Sequence, residues 1–357
     1  MAKHLTLLPL RSSASLYNEG MSTTTDKVIL DLDQLVAGNP QETPTVVDRP
    51  IEALPETTNS SIDAALGERF QLESVLGEGS MGIVYRARDL ILERSVAVKL
   101  IHESAAQDPG FRSRFFIEAK IMAGLAPNPH VVTIYDMGET DEQQPYLVME
   151  YLPGRTLKEI ISDVSGTPLP QGWLLKVARQ MLMAVVDAHA HGIVHRDIKP
   201  ENVFVLRSHS GRLEGGTVRN LPFLVKVLDF GIARSDLWKL PQALRTAPGF
   251  VVGTPRYMSP EQAAGDVLSP ASDVYSLGLV LYELATGGQF PLYAKSSGGF
   301  IAAHIHQRPI PLAEALEGKG VVYPKVLTQL IDSMLVKLPT KRLSSPEALA
   351  AILKFEG

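Results

Sequence analysis

Residues 193–203, IVHRDIKPENV, constrain this chain more than any other stretch. Ile193, Val194 and Val203 are β-branched and apolar, so both flanks belong against a core. Between them stand His195, Arg196, Asp197, Lys199 and Asn202, which places a dense polar set at the edge of that core. A carboxylate followed five residues later by an asparagine suits two jobs at one site. The carboxylate can orient a hydroxyl, while the amide oxygen ligates a divalent metal carrying phosphate. A polar loop joining a helix to a strand explains any one of these residues, but not the five together.

Composition narrows the setting. No cysteine occurs among the 357 residues, which excludes a disulfide framework, a thiol nucleophile and a cysteine-based metal centre, and suits a reducing cytoplasm. No dense basic block points to nucleic acid, and the longest apolar runs fall short of the ~18 residues of a membrane span. Residues 1–65 carry nine acidic and four basic side chains, an excess equal to the whole net charge of -5. With clustered threonines and prolines and no aromatic after Tyr17, residues 1–66 read as a disordered acidic tail, unable to bury enough apolar surface to offset the entropy of ordering. Met21 offers a second start within it.

Order begins near Phe70. Residues 70–101 alternate apolar and polar positions around a glycine cluster, which reads as a hairpin and a third strand. Gly77, Gly79 and Gly82 form G-x-G-x-x-G, and strand pattern continues after Gly82 where a dinucleotide fold would open a helix. Such a strand–turn–strand can close over a triphosphate and offer backbone N–H groups without a side-chain clash. Lys99 sits in the apolar third strand and is costly to bury unpaired, so it requires a carboxylate. Residues 111–125 read as a helix with Phe115, Ile117 or Ala119, and Met122 as its apolar side and Glu118 as an interior carboxylate. Short apolar runs at 130–137 and 146–151 add two strands, and Pro153-Gly154 ends the second. From Leu157 the period becomes helical, with a core helix ending at Gly192. Asp229 follows the strand at 224–228, and Asp273 opens a strongly apolar helix. His304 and His306 read as ordinary helix residues, since no carboxylate cluster accompanies them.

Taken together, H-R-D-x-x-x-x-N, the glycine loop, Ala97-Val98-Lys99, Asp229-Phe230-Gly231 and the segment GTPRYMSPEQ resemble bacterial serine/threonine protein kinases of the eukaryotic type, over about residues 70–353. The resemblance implies an α+β, bilobal fold. Its N-lobe (67–151) is a small antiparallel β-sheet with one main helix, its C-lobe (152–357) is mostly helical, and residues 206–222 form an inserted loop. It implies Asp197 as proton acceptor, Lys199 on the transferring phosphoryl group, Lys99 on the α- and β-phosphates with Glu118 as its ion-pair partner, and Asn202 and Asp229 as metal ligands. Nucleotide contacts implied are Leu76, Gly77, Glu78, Gly79, Gly82, Val84, Ala97, Lys99, Met149, Glu150, Leu152 and Phe204. Met149 gates the back of the pocket, and Glu150 and Leu152 turn backbone groups toward adenine. The acidic residue many relatives place near the ribose is replaced around Thr156. Ser259-Pro260-Glu261 stands in for A-P-E, with Arg342 pairing Glu261. Asp273 holds the backbone of the central loop, and Arg196 pairs with a phosphate on the activation segment. Thr246 is the first candidate for that phosphate, Ser235 a weaker one, and Thr254 shapes the substrate platform.

The expected cofactors are ATP and Mg2+, with Mn2+ able to replace it, and the partners are proteins bearing serine or threonine. The chain itself is expected among them through autophosphorylation, and a homodimer is compatible with the resemblance. The competing class is a pseudokinase scaffold that binds nucleotide without chemistry, which would lack at least one of Lys99, Glu118, Asp197, Asn202 or Asp229. None is missing.

Overall fold

The computed structural model describes residues 49–50, 66, 69–79, 81–124, 128–207, 223–230 and 255–355. Its first layer is a six-stranded sheet in the order β1-β2-β3-β4-β6-β5, antiparallel throughout. The strands are β1 (Arg49–Pro50), β2 (Phe70–Gly79), β3 (Gly82–Asp89), β4 (Arg94–Ile101), β5 (Ile134–Glu139) and β6 (Pro145–Glu150). Between β4 and β5 lie the short α1 (Glu103–Ala106) and the main helix α2 (Pro109–Ala123). β1 falls within the segment expected to be unordered. It pairs Arg49 with Val75 and Pro50 with Ser74 at the sheet edge, where a residue lacking an N–H is tolerated. The remainder of 1–65 lies outside the described residues.

Alternation along the strands splits the apolar side chains between two cores. Tyr85, Val96, Val98, Leu100 and Val148 join Phe70, Leu72 and Val75 in a small cluster on one face. Ala97, Leu147 and Met149 point the other way and join the large core, which Phe111, Phe115, Ala119 and Met122 of α2 also enter. The open choice on this helix is thereby settled: Ala119 is fully buried, while Ile117 is 56% exposed. Asp108 caps the helix by accepting from the Gly110 N–H at 2.8 Å, and Pro109 occupies its first turn.

The second layer begins with β7 (Gly154–Thr156), α3 (Leu157–Val164) and α4 (Gln171–Ala190). β8 (Val203–Arg207) and β9 (Phe223–Val227) pair with β7 in a three-stranded antiparallel sheet. β8 runs to Arg207, two residues into the segment expected as an inserted loop, and residues 208–222 lie outside the described residues. The remaining helices are α5 (Pro260–Ala264), α6 (Pro270–Thr286), α7 (Ser297–His306), α8 (Leu312–Ala315), α9 (Lys325–Met334) and α10 (Ser345–Leu353). From Ser272 to Thr286 every residue of α6 is buried, so this helix is the axis of the lower layer. It carries two carboxylates, Asp273 and Glu283, into that interior. The architecture is the expected α+β arrangement of a small antiparallel sheet with one main helix over a larger, mostly helical part.

Candidate active site

The central loop leaves α4 and enters β8, and one buried carboxylate fixes its shape. Asp273 accepts the His195 N–H at 2.7 Å and the Arg196 N–H at 2.8 Å. It also accepts Nε2–H of His189 at 2.8 Å, whose Nδ1 takes the Ser345 hydroxyl at 2.7 Å. These bonds hold Arg196 at φ 67°, a left-handed conformation that costs a non-glycine residue about 1 kcal/mol or more. His195 is fully buried, donates through Nε2 to the Leu228 carbonyl at 2.8 Å and accepts the Asp197 N–H on Nδ1 at 3.2 Å. Burial lowers its pKa despite the nearby carboxylates, so both bonds are those of a neutral ring holding the loop.

Three side chains expected to act together meet here. Asp197 Oδ2 lies 3.0 Å from Lys199 Nζ and 3.0 Å from Asn202 Nδ2, and Nδ2 also donates to the Asp197 carbonyl at 2.9 Å. Because the amide nitrogen faces Asp197, the amide oxygen remains the end that can ligate a cation. The Leu228 N–H donates to the Asn202 carbonyl at 2.9 Å, which sets Asp229 beside Asn202. Asp229 is itself left-handed, at φ 53°.

The ion pair of Lys99 departs from expectation. Its ammonium lies 2.9 and 2.8 Å from the two carboxylate oxygens of Asp229, where the resemblance implied Glu118. Lys99 is largely shielded, with 12% of its side chain exposed, so it must meet a carboxylate. The left-handed turn at Asp229 brings one up from the lower layer, whereas Glu118 stays half-buried on α2 beside the inward Ala119.

Strand register assembles the rest of the cleft. Gly77 pairs with Val84, Val84 with Lys99, Lys99 with Leu147 and Ala97 with Met149, so these residues share one face of the sheet. Ala97, Met149 and Leu152 are buried in the large core, and the half-buried Leu76, Val84 and Phe204 pack against it to complete an apolar lining. The glycines divide the work. A Cβ on Gly82 would lie 2.1 Å from the Leu100 carbonyl oxygen, so close strand packing excludes any side chain there. A Cβ on Gly77 or Gly79 would meet nothing within 4 Å, which leaves open backbone where a phosphate chain can approach. That open backbone, the cation of Lys99 and the oxygens of Asn202 and Asp229 fit a metal–nucleotide polyphosphate. Glu78 lies in β2 between these glycines, while Thr246, Ser235 and Thr254 lie outside the described residues.

Around Thr156, where relatives place an acidic ribose contact, the structure forms a capping box. Glu159 folds back onto the Thr156 N–H at 2.7 Å while the Thr156 hydroxyl receives the Glu159 N–H. Further out, Arg342 meets Glu261 through two nitrogens at 2.7 and 3.0 Å. Gln262 donates to the Arg196 carbonyl at 2.8 Å and ties this region to the central loop.

Sequence reasoning missed the buried Lys226. Its ammonium meets Glu150 at 2.5 Å and the Val131 carbonyl at 3.2 Å, while Glu150 also accepts the Thr133 N–H at 2.8 Å. The residue that follows Met149 is thus fastened by its side chain to the strand leading into Asp229. The signal was present: a lysine inside LVKVL needs a carboxylate for the same reason Lys99 does.

Comparison with known proteins agrees with this geometry. The family model for the protein kinase domain matches residues 70–352. The chain belongs to the protein kinase family. It is 36% identical over 298 residues to the serine/threonine-protein kinase pkn3 of Myxococcus xanthus, covering 83% of this chain and 51% of that one. It is also 36% identical over 291 residues to the serine/threonine-protein kinase PknB of Mycobacterium leprae, covering 81% and 43%. The chain thus spans about half the length of the curated relatives it matches. The crystal structure of the Mycobacterium tuberculosis PknI kinase domain shares the fold, with a TM-score of 0.58, 24% identity and coverage of 80% of this chain and 96% of that one.

Proposed function

We propose that this chain transfers the γ-phosphoryl group of ATP to serine and threonine hydroxyls of proteins. The observation that carries the reading is the meeting of Asp197, Lys199 and Asn202 on a loop locked by Asp273, beside Asp229 and Lys99 under an open glycine backbone. Asp197 orients the acceptor hydroxyl and takes its proton as the oxygen bonds to phosphorus. The bond from phosphorus to the bridging oxygen breaks, and ADP leaves. Lys199 steadies the transferring oxygens, and Lys99 holds the donor's α- and β-phosphates. Asn202 and Asp229 supply oxygen ligands for Mg2+ or Mn2+, which neutralises phosphate charge when bound.

The presence of all five chemical residues supports this reading over a scaffold that only binds nucleotide. Control by phosphorylation belongs to the same proposal. Arg196 Nε is buried without a hydrogen-bond partner among the described residues, a cation suited to a phosphate on Thr246 in the activation segment, placed there by a second copy or an upstream kinase. Among the described residues no helix is long and apolar enough to cross a membrane. We place the activity in the cytoplasm, where ATP is present and a cysteine-free chain is at home.

The test is incubation of the purified protein with Mg-ATP, followed by mass-spectrometric mapping of phosphosites. Phosphate is expected on the chain's own serines or threonines, Thr246 first, or on an added protein. D197N and D229A are expected to lower incorporation by about 100-fold or more. Tight nucleotide binding with no incorporation, even after treatment with an active kinase, would refute the proposal.

A further inference from the structure

The start of α10 (Ser345–Leu353) is fixed by the residues on either side of Ser345. The Ser344 hydroxyl accepts the Glu347 N–H at 3.4 Å, and Glu347 folds back to accept the Ser344 N–H at 2.9 Å. Pro346 stands in the first turn, and Ala348 and Ile352 bury the inner face of the helix in the large core against α4 and α6. The cap and the packing are thus complete without the side chain of Ser345. That residue is nevertheless 2% exposed, and its hydroxyl reaches across the helix interface to donate to His189 Nδ1 at 2.7 Å.

From there the path to the central loop is short. His189 lies in the last turn of α4, and its Nε2–H meets Asp273 Oδ2 at 2.8 Å. The same oxygen accepts the His195 N–H at 2.7 Å, and Oδ1 accepts the Arg196 N–H at 2.8 Å. Both the imidazole and the carboxylate are buried, with side chains 6% and 1% exposed. A neutral imidazole set between a carboxylate and a hydroxyl has one arrangement that satisfies both nitrogens: it donates to the carboxylate and accepts from the hydroxyl. By donating to Nδ1, Ser345 keeps the proton on Nε2, where Asp273 needs it. Asp273 is then held by three N–H donors, and two of them lie in the loop whose Arg196 sits at φ 67°.

We infer that Ser345 is a positioning residue for phosphoryl transfer: through His189 and Asp273 its hydroxyl keeps the loop bearing Asp197 in reacting geometry. The inference rests on the phosphoryl-transfer reading above and couples that site to a helix that contributes nothing else to it. Without the hydroxyl, Nδ1 becomes a buried acceptor with no donor. The ring tilts or moves its proton to Nδ1, Nε2 ceases to donate, and Asp273 keeps two bonds instead of three. The acceptor hydroxyl then meets a loosened Asp197, while nucleotide held by Lys99 and the glycine backbone binds as before.

The experiment measures the single-turnover rate of transfer and the KM for ATP, on a peptide copied from a site mapped in the test above. S345A is expected to lower the rate about fivefold, the effect of one neutral hydrogen bond, and to change KM for ATP less than about twofold. S345T returns a hydroxyl and is expected to regain most of the loss. In an H189Q background S345A should have no further effect, because Ser345 acts through that ring. S344A weakens the cap of α10 and should lower Tm while leaving the transfer rate unchanged. A wild-type rate in S345A, or an equal loss in S344A, overturns the inference and leaves the phosphoryl-transfer reading intact. So does an undiminished effect of S345A in the H189Q background, or S345T at the alanine level with normal thermal unfolding. If S345A does not fold, S345C keeps the volume with a weaker donor and is judged by the same outcomes. Wild-type protein that yields no mapped site refutes the parent reading and the inference together.

Discussion

Arg342 offers the sharpest test of how the lower lobe is held together. Its side chain is fully buried, and Glu261 is 4% exposed. Besides the two bonds to Glu261, the guanidinium donates to the carbonyls of Val336 at 2.8 Å, Ala271 at 2.5 Å and Lys337 at 2.9 Å. Glu261 takes a further bond from the Ser272 hydroxyl at 2.8 Å, and the arginine's hydrogen bonding and charge outweigh burial to keep its pKa below the usual carboxylate range. Replacing Arg342 by Ala therefore strands a buried carboxylate and three carbonyls at once. Removing one partner of a buried pair costs about 3–5 kcal/mol. At roughly 2 °C per kcal/mol for a domain this large, Tm should fall by about 6–10 °C. Urea unfolding of R342A, E261A and the double variant gives the coupling directly, and it should exceed about 2 kcal/mol, because the second deletion removes the charge that the first left unpaired. A loss below about 1 kcal/mol in R342A, or strict additivity in the double variant, would show that water or rearranged side chains satisfy these groups, and would refute the reasoning.

Two more outcomes follow from other groups. Because Asp229 shields Lys99, the D229N variant should raise the rate at which an acylating reagent labels Lys99 several-fold, read by peptide mass spectrometry. His304 is fully buried between the Arg256 carbonyl and the Tyr275 hydroxyl, and burial pulls its pKa from 6.5 down to about 4. The unfolded chain then binds a proton that the folded chain refuses between those values, so stability should fall as pH drops from about 6.5 toward about 4, by up to about 3 kcal/mol. A pH series of urea midpoints in wild type and H304Q checks this, since the variant should lose that part of the slope.

The sequence was most informative where chemistry and local period coincide. Asp197 and Asn202 sit five residues apart on a loop whose apolar flanks must be buried, and alternation around Gly77–Gly82 requires strands. Lys99 demanded a carboxylate, and that demand is met. Which carboxylate meets it was not legible, because the choice depends on how the backbone turns at Asp229, a left-handed position that its side chain does not announce. Ile117 and Ala119 were likewise indistinguishable until the rotation of α2 was known, since both fit an apolar helix face. Asp273 was readable from its motif, but its second partner was not. That partner, His189, lies 84 residues before it, and no local pattern joins them. The same holds for Arg256 and Glu283, which are 27 residues apart.

Asp273 and Glu283 stand ten residues apart on α6, a separation of about 15 Å along a helix buried from Ser272 to Thr286. One holds the loop that carries Asp197, and the other holds the segment Pro255–Tyr257 that leads into α5. The helix is therefore a ruler: the spacing between that loop and that segment is set by counting residues in one rigid rod. A single residue inserted between them would advance one end by about 1.5 Å and rotate it by about 100°.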